Sequence, residues 1–320
     1  MTTLTPHLGA EKTTRAPEPA PATPRRRRGG LQPSGFWFLL PALIVSIGLI
    51  YFGLGYTVYI STLDWDGISP DPASVGAANY LKALQSPIFW GALWHTAFYL
   101  VASFVGQVVI GFVLAVIMHS RLHLKVIYKV IIFIPVVIAP AIMAPVFRQI
   151  FAPDGQFNEL LHAVGLGGLA QPWLGQSETA LPTLIVIAIW QYSGLYFVLY
   201  FAAIGQIDPE VLEAARLDGA GNVRVAASII WPQLRATTLA LAMLATINAL
   251  KLFDMPQLLT AGGPNYSTEF LGTYIYRESI PQYDVGYGGA LSILMLVLAM
   301  GLAIVFMSRN RDRRSERKAG

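Results

Sequence analysis

The chain contains no cysteine and very little charge: only 12% of its 320 residues are Asp, Glu, Lys or Arg. Without thiols, disulfide frameworks, thiolate nucleophiles and cysteine-held metals are excluded. The five histidines, His7, His95, His119, His123 and His162, are too scattered to suggest a metal cluster. No G-x-x-x-x-G-K-[ST] phosphate loop is present, so ATP hydrolysis is not expected of this chain itself. A soluble domain carries about 25% charged residues. A chain with half that density and 54% hydrophobic residues has more apolar surface than one core of this size can hide.

The shortage of charge is concentrated. Residues 29–63, 83–120, 179–207 and 285–308 contain no Asp, Glu, Lys or Arg. Each run exceeds the roughly 20 residues that cross the hydrocarbon of a bilayer as a helix. Helices are required because backbone polar groups in lipid must be satisfied within the segment. The short alternating strands of an outer-membrane barrel are not seen. Six spans are expected, at 36–60, 92–118, 127–150, 181–207, 233–259 and 285–307, with the fifth interrupted by Lys251 and Asp254. The fold class is therefore an all-α polytopic membrane protein. No internal repeat argues for an inverted-repeat transporter.

Proline, threonine and the run Arg25-Arg26-Arg27-Arg28 dominate residues 1–30, which are expected to be a disordered basic tail lying against anionic lipid rather than a nucleic-acid arm. Residues 31–308 form the membrane domain, and 309–320 a second basic tail. Basic residues concentrate on the cytoplasmic side of membrane proteins. Placing the N-terminus inside puts 18 of the 22 Lys and Arg residues on that side, with only Lys82, Arg148 and Arg277 outside. An even number of spans then leaves both termini in the cytoplasm of a bacterial inner membrane.

Within this arrangement the loop 208–232 is cytoplasmic. Asp208 can cap a helix that starts at Pro209, where the missing N–H is no loss. Gly219 and Gly221 permit its end. The helix is about three turns long, too short to cross a membrane. Ala214 and Ala215 have little bulk beside that capped end. The residues alone leave two readings open: an amphipathic helix lying at the lipid interface, or a docking surface for another protein.

The stretch Glu213-Ala214-Ala215-x-x-Asp218-Gly219-Ala220, continued by Ile229-x-x-Pro232, resembles the EAA signature of permease subunits in binding-protein-dependent ABC importers. Asn79-Tyr80, the run from Trp190 to Ala203, Thr260-Ala261-Gly262-Gly263-Pro264, Tyr274-Ile275-Tyr276 and Tyr287-Gly288 agree with the sugar-permease branch of that family. The resemblance covers roughly residues 36–308. The second half of the loop departs from the usual pattern, with Ala226 where an aromatic is common and Trp231 where an aliphatic is.

What the resemblance implies is a type I importer transmembrane domain with six helices. Pro209, Glu213, Ala214, Ala215, Asp218, Gly219, Ala220 and Pro232 would form the ATPase-coupling surface. Glu213 would be the polar anchor, and the small residues would allow a close fit. The implied partners are a second, homologous permease, two cytoplasmic ATPase subunits carrying ATP and magnesium, and an extracellular solute-binding protein. No cofactor is expected on this chain, and no nucleic acid among its partners.

Candidates for the solute path are Gln191, Tyr192 and Tyr196 on the fourth span, and Asn248, Lys251 and Asp254 on the fifth. Tyrosine can stack on a sugar ring and hydrogen-bond it, and also anchors spans at the interface. Lys251 and Asp254 stand three apart, so they can line a polar cavity or form a structural pair. The cargo expected is a carbohydrate or related polyol. The competing reading is a secondary transporter driven by an ion gradient, for which Lys251 and Asp254 would be the ion site.

Overall fold

A computed structural model describes residues 33–119 and 125–319. The expected disordered leader and the residues 120–124 of the short turn lie outside the described residues. The described residues fall into two compact units, divided between Phe52 and Gly53. In the first, α1 (Pro33–Ser46) runs into a π-helical turn, Ile47–Tyr51. The second begins with α2 (Phe52–Ile60), which opens one residue before the boundary, followed by a two-residue antiparallel ladder of β1 (Leu63–Asp64) and β2 (Ala73–Ser74). It continues through α3 (Ala78–Gln85), α4 (Pro87–His119), α5 (Lys125–Val137), α6 (Pro140–Ile150), α7 (Gln156–Ala163) and α8 (Ser177–Ile204). The loop helices α9 (Pro209–Leu217), α10 (Asn222–Val225) and α11 (Trp231–Gln233) precede α12 (Arg235–Leu250), α13 (Asp254–Leu259), α14 (Leu271–Ser279) and α15 (Val285–Ala319).

Among the described residues four helices are long and apolar enough to cross a membrane: Trp37–Ile60, Pro87–His119, Ser177–Ile204 and Val285–Val305. The remaining two expected spans are not straight crossings. The third is a bent pair, Val126–Val137 and Pro140–Ile150, meeting at 94°. Ala139 is extended before Pro140, and Pro135 and Pro145 remove further backbone donors, so the bend falls where proline forbids continuation. The fifth stops after 16 residues at Leu250, and the chain restarts as the six-residue α13. Beyond the sixth span, the helix continues unbroken through the expected tail to Ala319.

The centre of the second unit is α8. More than half of its apolar window, 56%, is buried, against 28% for α4 and 22% for Val285–Val305. Its main partner is α4, and Gly111 makes the approach possible: a Cβ there would lie 2.6 Å from Tyr196 Cβ. Small residues at such crossings supply the close packing that substitutes for a hydrophobic driving force in lipid. Tyr200 Oη and Thr238 Oγ1, 3.0 Å apart, tie α8 to α12.

Candidate functional site

Two features stand out, one at the loop between α8 and α12 and one at the broken fifth span. In the loop, the Asp208 side chain accepts a hydrogen bond from the Glu210 N–H at 3.0 Å, and Pro209 occupies the first helical position. The helix ends as the Asp218 N–H reaches the Ala214 carbonyl and the Ala220 N–H reaches the Ala215 carbonyl, both at 3.0 Å. Gly219 between them has φ +79°, the left-handed conformation this closure needs. Open space surrounds the position of its absent Cβ, so within this chain its role is conformational.

One face of the loop packs home. Leu212 and Val225 are buried against Ala115, Met118 and Ile204 at the ends of α4 and α8, and Ala215 and Ala220 lean on the same cluster. Ala215 and Ala220 are only half-buried, so their small size serves this internal packing and leaves the rest of each residue facing outward. Glu213, Ala214 and Asp218 are exposed, as is Pro209, while Pro232 is half-buried. Two apolar side chains stand out in solvent beside the turn, Leu217 at 89% and Val223 at 83% exposure. Trp231, which departs from the usual pattern, contacts Phe112 with ring centroids 5.1 Å apart and Tyr200 at 6.4 Å. It supplies the aromatic anchor that Ala226 lacks.

The second feature is a cavity of about 280 Å³ that reaches Tyr192 and Tyr196 of α8 and Asn248, Lys251 and Asp254 of the broken span. Five of the six sequence candidates therefore meet in one place. Gln191 does not join them. It is 2% exposed, turned the other way, and donates a long 3.4 Å bond to the Ile138 carbonyl at the bend between α5 and α6.

Sequence reading missed the α4 wall, formed by Tyr99, Ser103 and Gln107. These polar side chains recur every four residues along an otherwise apolar span, which is the helical spacing that places them on one face. That periodicity was the available signal. Gln107 also donates to the Ala188 carbonyl at 3.1 Å, joining α4 to α8 across the cavity wall.

Lys251 and Asp254 form no ion pair with each other among the described residues. Lys251 is the C-cap of α12 and Asp254 lies in the first turn of α13. A cation thus meets the negative end of one helix dipole and an anion the positive end of the next. The break, rather than pairing, is what accommodates both charges, and both side chains remain exposed.

Outside the cavity, Glu269 is 1% exposed and accepts hydrogen bonds from Thr273 Oγ1 at 2.7 Å and from Arg277 Nη1. Burial pushes its carboxyl above the usual range, although Thr273 and Arg277 pull the other way. The Arg277 guanidinium also lies 4.5 Å from the Tyr266 ring centre and 4.9 Å from that of Tyr274.

A polytopic helical unit with a polar cavity at an interrupted span, and an apolar-tipped loop between α8 and α12, has the anatomy of a transport protein. Residues 107–317 match the family of binding-protein-dependent transport system inner membrane components, and the chain belongs to that family. It is similar to a probable ABC transporter permease protein, YurN, of Bacillus subtilis, with 33% identity over 85% of this chain and 94% of the relative. It is 30% identical to the diacetylchitobiose uptake system permease protein NgcF of Streptomyces coelicolor, over 97% of this chain and 94% of that one. Its fold is shared with a chain of a bacterial ABC transporter involved in the import of the acidic polysaccharide alginate (TM-score 0.75, 23% identity, 87% of this chain and 95% of that chain). The protein is thus a multi-pass permease of an ABC importer with the type I permease fold, a transport component and not the ATP-hydrolysing one. The family decides against the gradient-driven alternative.

Proposed function

We propose that this permease conducts a carbohydrate or related polyol through the cavity at the broken fifth span, and that the loop 208–232 takes its power from a separate ATPase. The observation that carries the reading is that one compact unit holds both features: a cavity of neutral polar, aromatic and oppositely charged groups, and a loop whose apolar side chains Leu217 and Val223 have no cover of their own. Tyrosine faces and amide groups suit a hydroxylated ring, and the name of the Streptomyces relative points to a saccharide.

The partners follow from this division of labour. An extracellular solute-binding protein delivers the cargo, and a second, homologous permease completes the path. Two cytoplasmic ATPase subunits, which hold ATP and magnesium, receive the loop. Glu213 is its polar anchor, beside Pro209, Ala214, Asp218, Gly219 and the exposed Leu217, while Ala215, Ala220 and Pro232 support it from behind. Both termini lie in the cytoplasm of the bacterial inner membrane.

Glu213 is exposed and makes no ion pair among the described residues, so its replacement disturbs nothing inside this chain. In cells expressing the full importer, Glu213→Ala should abolish binding-protein-dependent uptake while membrane accumulation of the chain stays normal. Uptake at the wild-type rate by that variant would remove Glu213 from the coupling role.

A further inference from the structure

The wall of the cavity at the helix break is only one residue thick. Leu252 and Phe253 line the cavity, and on their other side they rest against α14. The contact is closest at Gly272: an alanine Cβ there would lie 2.7 Å from the Leu252 carbonyl oxygen and 3.4 Å from Phe253 Cβ. The first of these is a backbone atom at a helix break, so it can yield only if the break itself moves. One turn further along α14, the Tyr276 ring packs on Phe253 at 5.2 Å between centroids. At the start of the same helix, Phe270 meets Tyr99, itself a cavity residue, edge-on at 5.5 Å.

Helix α14 is in turn fastened to the outer loop that leads into it. Glu269 binds Thr273 and Arg277, one and two turns along α14, and its backbone carbonyl accepts from His95 Nδ1 of α4 at 3.0 Å. Arg277 is held between the Tyr266 and Tyr274 rings, and Tyr274 Oη lies 2.8 Å from Tyr287 Oη on α15. A bracket fixed at α4, α15 and the outer loop therefore bears directly on the backbone of the break.

We propose that Gly272 is a positioning residue for solute passage: it lets α14, locked by Glu269 and Arg277, seat against Leu252 and so sets how far the break at Lys251–Phe253 intrudes into the cavity. The bracket lies on the outer side of the expected orientation, so an event at the outer loop reaches the cavity through the seat at Gly272 and the Tyr276–Phe253 and Phe270–Tyr99 ring contacts that flank it. The proposal rests on the reading of the cavity as the solute path, and the two can fail separately.

The native chain has no cysteine, so Asn248→Cys gives it a single thiol in the cavity, and Leu217→Cys gives a distant one in the cytoplasmic loop. In membranes containing the assembled importer, the probe is the rate at which 2-aminoethyl methanethiosulfonate modifies each thiol. Adding Gly272→Ala should change the rate at position 248 by about fivefold and leave the rate at position 217 unchanged. Glu269→Gln, which keeps the shape of the bracket, should shift position 248 in the same direction and less. Gly168→Ala, placed where nothing lies within 4 Å, should change neither. An unaltered rate at position 248, or equal changes at both positions, would overturn the positioning role. If modifying the thiol of the Asn248→Cys variant leaves binding-protein-dependent uptake intact, the cavity is not the solute path, and that reading falls on its own.

Discussion

Glu269 shows how a single residue can carry opposing demands. It is buried in the link between the last two spans, paired with Arg277 and hydrogen-bonded to Thr273, yet burial outweighs both and its carboxyl stays above the ordinary value. A group whose folded value is raised binds its proton more tightly in the folded state. Its stabilisation is complete below the unfolded value and is lost as pH rises through the folded one. The thermal unfolding midpoint of the purified importer should therefore rise on acidification through that window, and Glu269→Gln should flatten the dependence. An unchanged pH profile in the variant would mean that other groups set it. Nothing in the sequence marks Glu269 for this role, because its partners lie four and eight residues on, and its burial is produced by the packing of α14.

At the scale of elements, the fifth span is the instructive case. Two charges three residues apart in an apolar run read equally well as a pair or as cavity lining. The structure breaks the helix between them, and each charge then sits at a dipole end of its own segment, an arrangement worth about 0.3–1 kcal/mol per charge at exposed positions. If the two act independently, Lys251→Gln and Asp254→Asn should reduce uptake by factors that multiply in the double variant. A double variant no worse than the poorer single one would restore the pair. The loop 208–232 behaved differently. Its cap, length and stop were legible from Asp208, Pro209 and Gly219, since these are local chemistry. Which of its alanines face inward was not, because that depends on where α4 and α8 end.

For the whole molecule, the one-sided distribution of basic residues is the strongest global signal. Two of the three cations expected outside are neutralised by neighbours: Lys82 bonds Asp284 at 2.7 Å, and Arg277 bonds Glu269 and Glu278. Among the described residues Arg216, Arg224 and Arg235, which are expected on the cytoplasmic side, form no such pairs. A reporter active only in the cytoplasm should accordingly work when fused to either end of the chain, and activity at one end alone would demand an odd number of crossings. Composition by itself determined that the chain is helical and membrane-embedded, and charge placement supplied the expected orientation, because the bilayer imposes length and polarity on every segment separately. The short motif at Glu213–Ala220 pointed to the family for a similar reason, being a local pattern. The bend in the third span, the break in the fifth, the inward turn of Gln191 and the α4 wall of the cavity were decided only by tertiary structure. Each depends on which face of one helix meets another, and hydropathy summed along a segment does not contain that information.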